Sequence, residues 1–195
     1  MLGAAALVVV LLVGAGATVL LLGGGASGPH PGLAEGRSEA GDIDGVQTFD
    51  GLSMNHVTGT VDYPQNPPVG GDHAAVWLNC GVYAEEVPAE NAVHSLEHGV
   101  VWITYDPTID DGQVDLLTGL YRPGSYLLVS PVPGLPAPVV ASAWGKQLGV
   151  DDAGDPRLQE FIARYEQGPQ TPEPGAPCSE GMGEPSVGEA GSIGV

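Results

Sequence analysis

The run His94-Ser-Leu-Glu-His-Gly-Val-Val-Trp-Ile-Thr-Tyr105 decides how this chain is read. Two imidazoles and a carboxylate fall within five residues, and the strongest strand signal in the sequence follows at once. Val, Trp, Ile, Thr and Tyr suit a pleated surface packed against neighbours. A polar cluster joined directly to a sheet strand is held rigidly, as a metal or catalytic site requires. If residues 93–98 form a helical turn, His94 and His98 stand at i and i+4 on one face, with Glu97 at i+3 from His94. Gly99 then ends the turn.

Outward from that centre the signals are those of a small α+β domain. It is expected to be a mostly antiparallel sheet with one well-defined amphipathic helix. Residues 56–61 and 74–78 read as short strands, and the Pro/Gly-rich stretch 62–73 as a loop whose path is fixed by its prolines. Residues 112–120 read as a weak helix. Residues 125–130 and 137–143 read as strands joined by a Pro/Gly turn. The best helix is 156–167. Asp155 is its N-cap and Pro156 its first residue, and Leu158, Phe161, Ile162 and Tyr165 form one apolar stripe before Gly168-Pro169. The domain is placed at 46–169. A Pro/Gly-rich acidic tail follows at 170–195, and a flexible linker precedes at 23–45.

Residues 2–22 are apolar or small, without a charge, and long enough to cross a hydrocarbon core of about 30 Å. A cleaved signal usually has a shorter apolar region. Residues 1–22 are therefore read as a single-pass anchor in the cell membrane, with the remainder extracytoplasmic. The two cysteines, Cys80 and Cys178, form no Cys-x-x-Cys pair, which excludes zinc-ribbon and thioredoxin sites. Two lone cysteines in an exported chain point to one disulfide. It would return the tail, and with it Met182, to the middle of the domain. The net charge of −19, from 24 acidic against five basic residues, excludes a nucleic-acid partner, because phosphate binding needs clustered Lys and Arg.

His56, His73, His94 and His98 lie at structurally marked places: a strand start, a loop end and the turn before the central strand. Imidazole suits copper, zinc, iron and nickel, and a thioether from Met54 or Met182 would tilt the choice toward copper, with zinc second. Glu97 is expected to orient one ligand by accepting its free ring N–H. The bland alternative is that the histidines are structural and pin the central strand. The string His94-x-x-Glu97-His98 also matches the inverted zinc-peptidase motif, with Glu97 as general base. That motif needs a long helix and a third ligand from another, whereas Gly99 and a β-rich run end any helix here.

Gly71-Asp-His73, Trp77-Leu-Asn-Cys-Gly-Val-Tyr83, Val93-His-Ser-Leu-Glu-His-Gly99 and Tyr105-Asp-Pro107 together resemble the bacterial family called domain of unknown function 3105 (DUF3105). Ser130-Pro131, Ala143-Trp-Gly145, Phe161 and Tyr165 extend the likeness over about residues 46–180. The ending Pro174-Gly-Ala-Pro-Cys178 is similar to the version found in high-GC Gram-positive bacteria. Where the loop commonly reads Ser-Gly-Pro-His, this chain has Gly-Gly-Asp-His73. The resemblance implies an N-terminal membrane segment and an exported domain. Three functions follow as expectations. The first is binding a transition metal, copper first, for handling or delivery to an envelope metalloenzyme such as a respiratory oxidase. The second is an accessory subunit of a membrane complex, and the third a zinc hydrolase.

Overall fold

The computed structural model describes residues 43–188. The apolar segment 2–22, the linker up to residue 42 and residues 189–195 lie outside the described residues. Among the described residues no helix is long and apolar enough to cross a membrane.

The domain forms around β5 (Val101–Tyr105), every residue of which is buried. Successive side chains of a strand point to opposite faces, so the run from Val100 feeds two cores. Val101, Ile103 and Tyr105 enter one with Phe161 and Tyr165. Val100 and Trp102 enter the other with Val93 and Leu96. An uninterrupted apolar run is the signature of a strand covered on both sides. Its polar groups are paired inside the sheet. Trp102 Nε1 donates to Ser130 Oγ at 3.0 Å and Thr104 Oγ1 to the Val140 carbonyl at 3.0 Å.

Beside β5 lie β6 (Leu127–Pro131) and β7 (Val139–Ala143). Next to β7 comes β8 (Lys146–Val150), edged by β1 (Gln47–Thr48). Beyond β6 come β4 (Gly81–Val82) and β9 (Val187–Gly188). The seven-stranded sheet is mixed, which corrects the mostly antiparallel expectation: β6 runs parallel to both β5 and β4. The reason is the length of the connections. Parallel neighbours need a crossover of a dozen or more residues, and residues 106–126 supply one between β5 and β6. Strands β6 and β7, although consecutive and joined by a Pro/Gly turn, do not pair; β7 lies antiparallel to β5 on its other side. The tight Trp144-Gly145 turn makes β7 and β8 the antiparallel hairpin.

Three helices are present among the described residues: α1 (Ala89–Glu97), longer than the turn considered at 93–98, α2 (Asp111–Thr118), where the weak helix is expected, and α3 (Pro156–Tyr165), the well-defined one. Only α3 has the full set of local start signals. Asp155 accepts from the Arg157 N–H, and Pro156 occupies the first turn. Helix α1 begins after Pro88 without a side-chain cap, so burial rather than capping holds it. Ala92, Val93 and Leu96 are fully buried against Trp102 and Leu78. It ends at Glu97 with His98 as C-cap, and Gly99 adopts φ +90°. A Cβ there would collide with the Gln167 and Thr171 side chains, so glycine is required by both conformation and space.

Residues 170–188 run back across the domain. Cys80 and Cys178 are disulfide-bonded with Cα atoms 5.4 Å apart at a sequence separation of 98. Closing so long a loop is worth about 4–5 kcal/mol in the chain-entropy model. Backbone pairs line up on either side of the bridge: Cys80 N–H to the Cys178 carbonyl, Asn79 N–H to Met182, and Ser186 N–H to Val82. The tail thus finishes as an edge strand, antiparallel to β4.

This packing makes a direct prediction. Ile103→Ala, in a fully buried position, should cost about 2–5 kcal/mol by transfer and cavity terms. Leu116→Ala, at a residue 56% exposed on α2, should cost about 0.5 kcal/mol or less. Urea unfolding followed by tryptophan fluorescence checks this, the midpoint moving while the slope stays constant.

Candidate metal centre

Three separate segments bring the site together. The first is β2 (His56–Val57), and the second is β3 (His73–Ala74) at the end of the Pro/Gly loop. The two pair in parallel with His56 opposite His73. The third is α1, whose packing against β3 brings His94 and Glu97 to the same place. One helical turn separates those two residues, so they share a face. The rings of His56, His73 and His94 form a near-equilateral triangle, with centroids 5.0, 4.9 and 4.9 Å apart. One ligand atom from each of His56, His73, His94 and Glu97 lies within 4.8 Å of all the others.

The ring nitrogens are oriented by backbone carbonyls. His73 Nδ1 donates to the Gly71 carbonyl at 2.8 Å, and His94 Nδ1 to the Ala74 carbonyl at 2.7 Å. In a neutral imidazole the other nitrogen, Nε2, then carries the lone pair. This is the arrangement in which a second hydrogen bond sets tautomer and ring direction for a metal ligand. His94 is held neutral at physiological pH. Burial foremost, with lesser repulsion from His98, His73 and His56, pushes its pKa down to about 4.

His73 Nε2 is the most informative atom. It is fully buried and 2.9 Å from Glu97 Oε2, yet the pair lacks the angles of a hydrogen bond, and Nε2 has no hydrogen-bond partner. Buried polar atoms nearly always find one. A lone pair and a carboxylate oxygen at that distance repel each other unless a cation is shared between them. Glu97 itself is 3% exposed, and a buried carboxylate without a counter-charge is costly. The donor set thus fits a metal ion: three imidazole nitrogens and one carboxylate oxygen, as transition metals accept.

The structure places the other sequence candidates elsewhere. His98 caps α1 and packs edge-on against His94 at 4.6 Å. Its Nδ1 donates to the Pro177 carbonyl at 2.8 Å, and its Nε2 lies 3.6 Å from Glu173 Oε2. It stands outside the group of four, because the helix ends at Glu97 and the ring is captured by the returning tail. Met54 and Met182 are 56% and 39% exposed. The Met182 backbone pairs with Trp77 and Asn79. Glu97, expected to act behind a ligand, presents its own oxygen to the centre.

Three residues that sequence reasoning gave no role support the site. Trp77 packs on the His94 and His98 rings at 5.8 and 5.0 Å, and Trp144 meets His73 edge-on at 6.0 Å. Ser95 Oγ accepts from the Leu78 N–H and donates to the Leu78 carbonyl, at 2.9 and 2.8 Å. It clamps α1 to the strand region, which is a structural role for the hydroxyl between the two histidines. The signal for Ser95 was its place within the motif; its partner, seventeen residues upstream, leaves no mark in local sequence.

Residues 56–180 match the family described as "Protein of unknown function (DUF3105)". The chain belongs to that family. No curated protein and no solved structure matches it.

Two predictions follow from the geometry. In the metal-free protein, Glu97→Gln should preserve or raise stability, since the amide can donate to His73 Nε2. The same substitution should remove metal-dependent stabilisation. Thermal denaturation with and without Zn(II) reads both effects. The second concerns pH. The native state keeps His94 neutral down to about 4, while in the unfolded chain it protonates near 6.5. The unfolded state therefore binds more protons between those values, and stability falls as pH drops through that window. The stability advantage of metal-free wild type over His94→Gln should shrink from pH 6.5 to 4 and change little above 7.

Proposed function

We propose that this DUF3105 chain binds one divalent transition-metal ion through His56, His73, His94 and Glu97, and handles that ion at the cell envelope rather than catalysing a reaction. The observation that carries this reading is the buried His73 Nε2, 2.9 Å from the Glu97 carboxylate without a hydrogen bond. Nitrogen and carboxylate donors without sulfur suit Zn(II) or Cu(II). The hydrolase reading loses its general base, since Glu97 is taken up in the ligand set.

The envelope location is part of the same proposal. The Cys80–Cys178 disulfide suits an oxidising compartment. The uncharged apolar segment 2–22 suits a membrane anchor. An exported, anchored domain with a metal site would receive or deliver an ion for an envelope metalloenzyme.

The test is elemental analysis and calorimetric titration of protein purified without a histidine tag. One equivalent of Zn(II) or Cu(II) should bind in the wild type, and none in His73→Ala or His94→Ala. His98→Ala should keep full stoichiometry. Equal behaviour of wild type and the His73→Ala/His94→Ala double variant would mean that the histidines are structural, and would favour the accessory-subunit role.

A further inference from the structure

The four ligands are not held alike. His73 is 0%, His94 4% and Glu97 3% exposed, whereas the His56 side chain is 50% exposed. The three buried groups sit on elements packed into the domain. His73 Nδ1 is tied to Gly71 and its ring meets Trp144, His94 Nδ1 is tied to Ala74, and Glu97 lies on the buried last turn of α1. Their rotamers are set before any ion arrives. His56 lies on a two-residue strand in a stretch where Ser53, Met54, Asn55, Thr58, Gly59 and Thr60 are all exposed. Beyond its pairing with β3, that stretch is held by the His73 N–H on the Asn55 carbonyl at 3.0 Å and by hydrogen bonds of Ser53 and Asn55 to the Asp72 carboxylate, one of them Asn55 Nδ2 on Asp72 Oδ1 at 2.9 Å. Few buried contacts and solvent-exposed hydrogen bonds mark a segment of low local stability.

We infer that His73, His94 and Glu97 form a preorganised tripod, and that His56 is an exchangeable fourth ligand through which the ion enters and leaves. This rests on the metal-binding reading above. Exchange is a ligand substitution. The bond from the metal to the His56 imidazole breaks as a bond to an incoming nitrogen or oxygen donor forms, with the oxidation state unchanged and the released imidazole returning to water. The tripod holds the ion during this first substitution, and as further donors of the partner bind, the bonds to His73, His94 and Glu97 break in turn, so the ion passes from ligand to ligand without being freed into solvent. The exchange partner is identified by this chemistry as a molecule presenting an imidazole or carboxylate at an accessible surface, and free imidazole is its simplest stand-in. A tripod ligand cannot take this role, because releasing it would leave a buried polar group without a partner.

The test uses the full chain in mild detergent, loaded with Co(II) for its visible spectrum and with Zn(II) for affinity. His56→Ala should still bind one equivalent of Zn(II), with affinity lowered at most about 100-fold, the scale on which outer partners of a ligand are felt. His73→Ala should bind none. Adding imidazole to Co(II)-loaded His56→Ala should shift the visible bands toward those of wild type. Imidazole should also speed Zn(II) transfer from wild type to a chromogenic chelator. Loss in His56→Ala as complete as in His73→Ala would overturn the tripod. Wild-type affinity in His56→Ala, with no imidazole effect on the spectrum, would show that His56 is not a ligand. Absence of metal from wild type itself would remove the parent reading and this one together.

Discussion

The burial of β5 on both faces is the constraint on which the rest of this structure depends. A strand with water on one side could alternate apolar and polar residues. Val100 to Tyr105 instead needs cover above and below, and the fold supplies it with α1 on one face and α2 and α3 on the other. Helix α1 leads directly into β5 through Gly99, so seating the strand also seats the helix end. His94 and Glu97 therefore inherit the rigidity of the core without belonging to it. Each fully buried aliphatic side chain of β5 contributes about 1.5–3 kcal/mol, enough to outweigh the cost of crowding polar groups beside it.

That crowding is the second theme. A buried carboxylate beside an imidazole nitrogen that makes no hydrogen bond is costly unless a cation is shared between them. Charges removed from water are costly unless paired, and sites that break local rules are where function concentrates. The backbone carbonyls of Gly71 and Ala74 turn the nitrogens of His73 and His94 inward and forbid the relaxations that would otherwise relieve the conflict. His98 shows the contrast. It is equally buried and on the same helix end, but both its nitrogens face partners in the tail, and it presents no orphaned atom. The unpartnered imidazole is His73 on β3, so two buried rings of the same domain differ by what surrounds them.

The tail contributes to this difference. Cys178 is anchored on Cys80, and Pro177 accepts from His98 in the adjoining step of the chain. Glu173 donates its backbone N–H to the Glu97 carbonyl, so the returning strand also satisfies the end of α1. A Pro/Gly-rich acidic segment has too little apolar surface to fold by itself. The covalent bridge and the edge pairing with β4 give it a defined path, and that path encloses the side of α1 away from His56.

Much of this was legible in the sequence wherever the determining interaction is local. Asp155-Pro156 and the stripe Leu158, Phe161, Ile162, Tyr165 specify α3, because caps and a 3.6-residue period are properties of one stretch of backbone. The apolar run after Gly99 specifies the central strand, and the spacing of His94 and Glu97 already places them on one helical face. Two cysteines in a chain with an apolar leader point to a single bridge by count. The tertiary structure decided what depends on pairing across distance. The parallel pairing of β5 with β6, the register that sets His56 opposite His73 and the capture of His98 by Pro177 all turn on segments distant in sequence. Such choices are settled by the total burial of the whole sheet and its helices, a sum to which no window of sequence has access. Local geometry therefore supplied half the candidate metal centre, on α1, and the fold supplied the other half by setting His56 opposite His73.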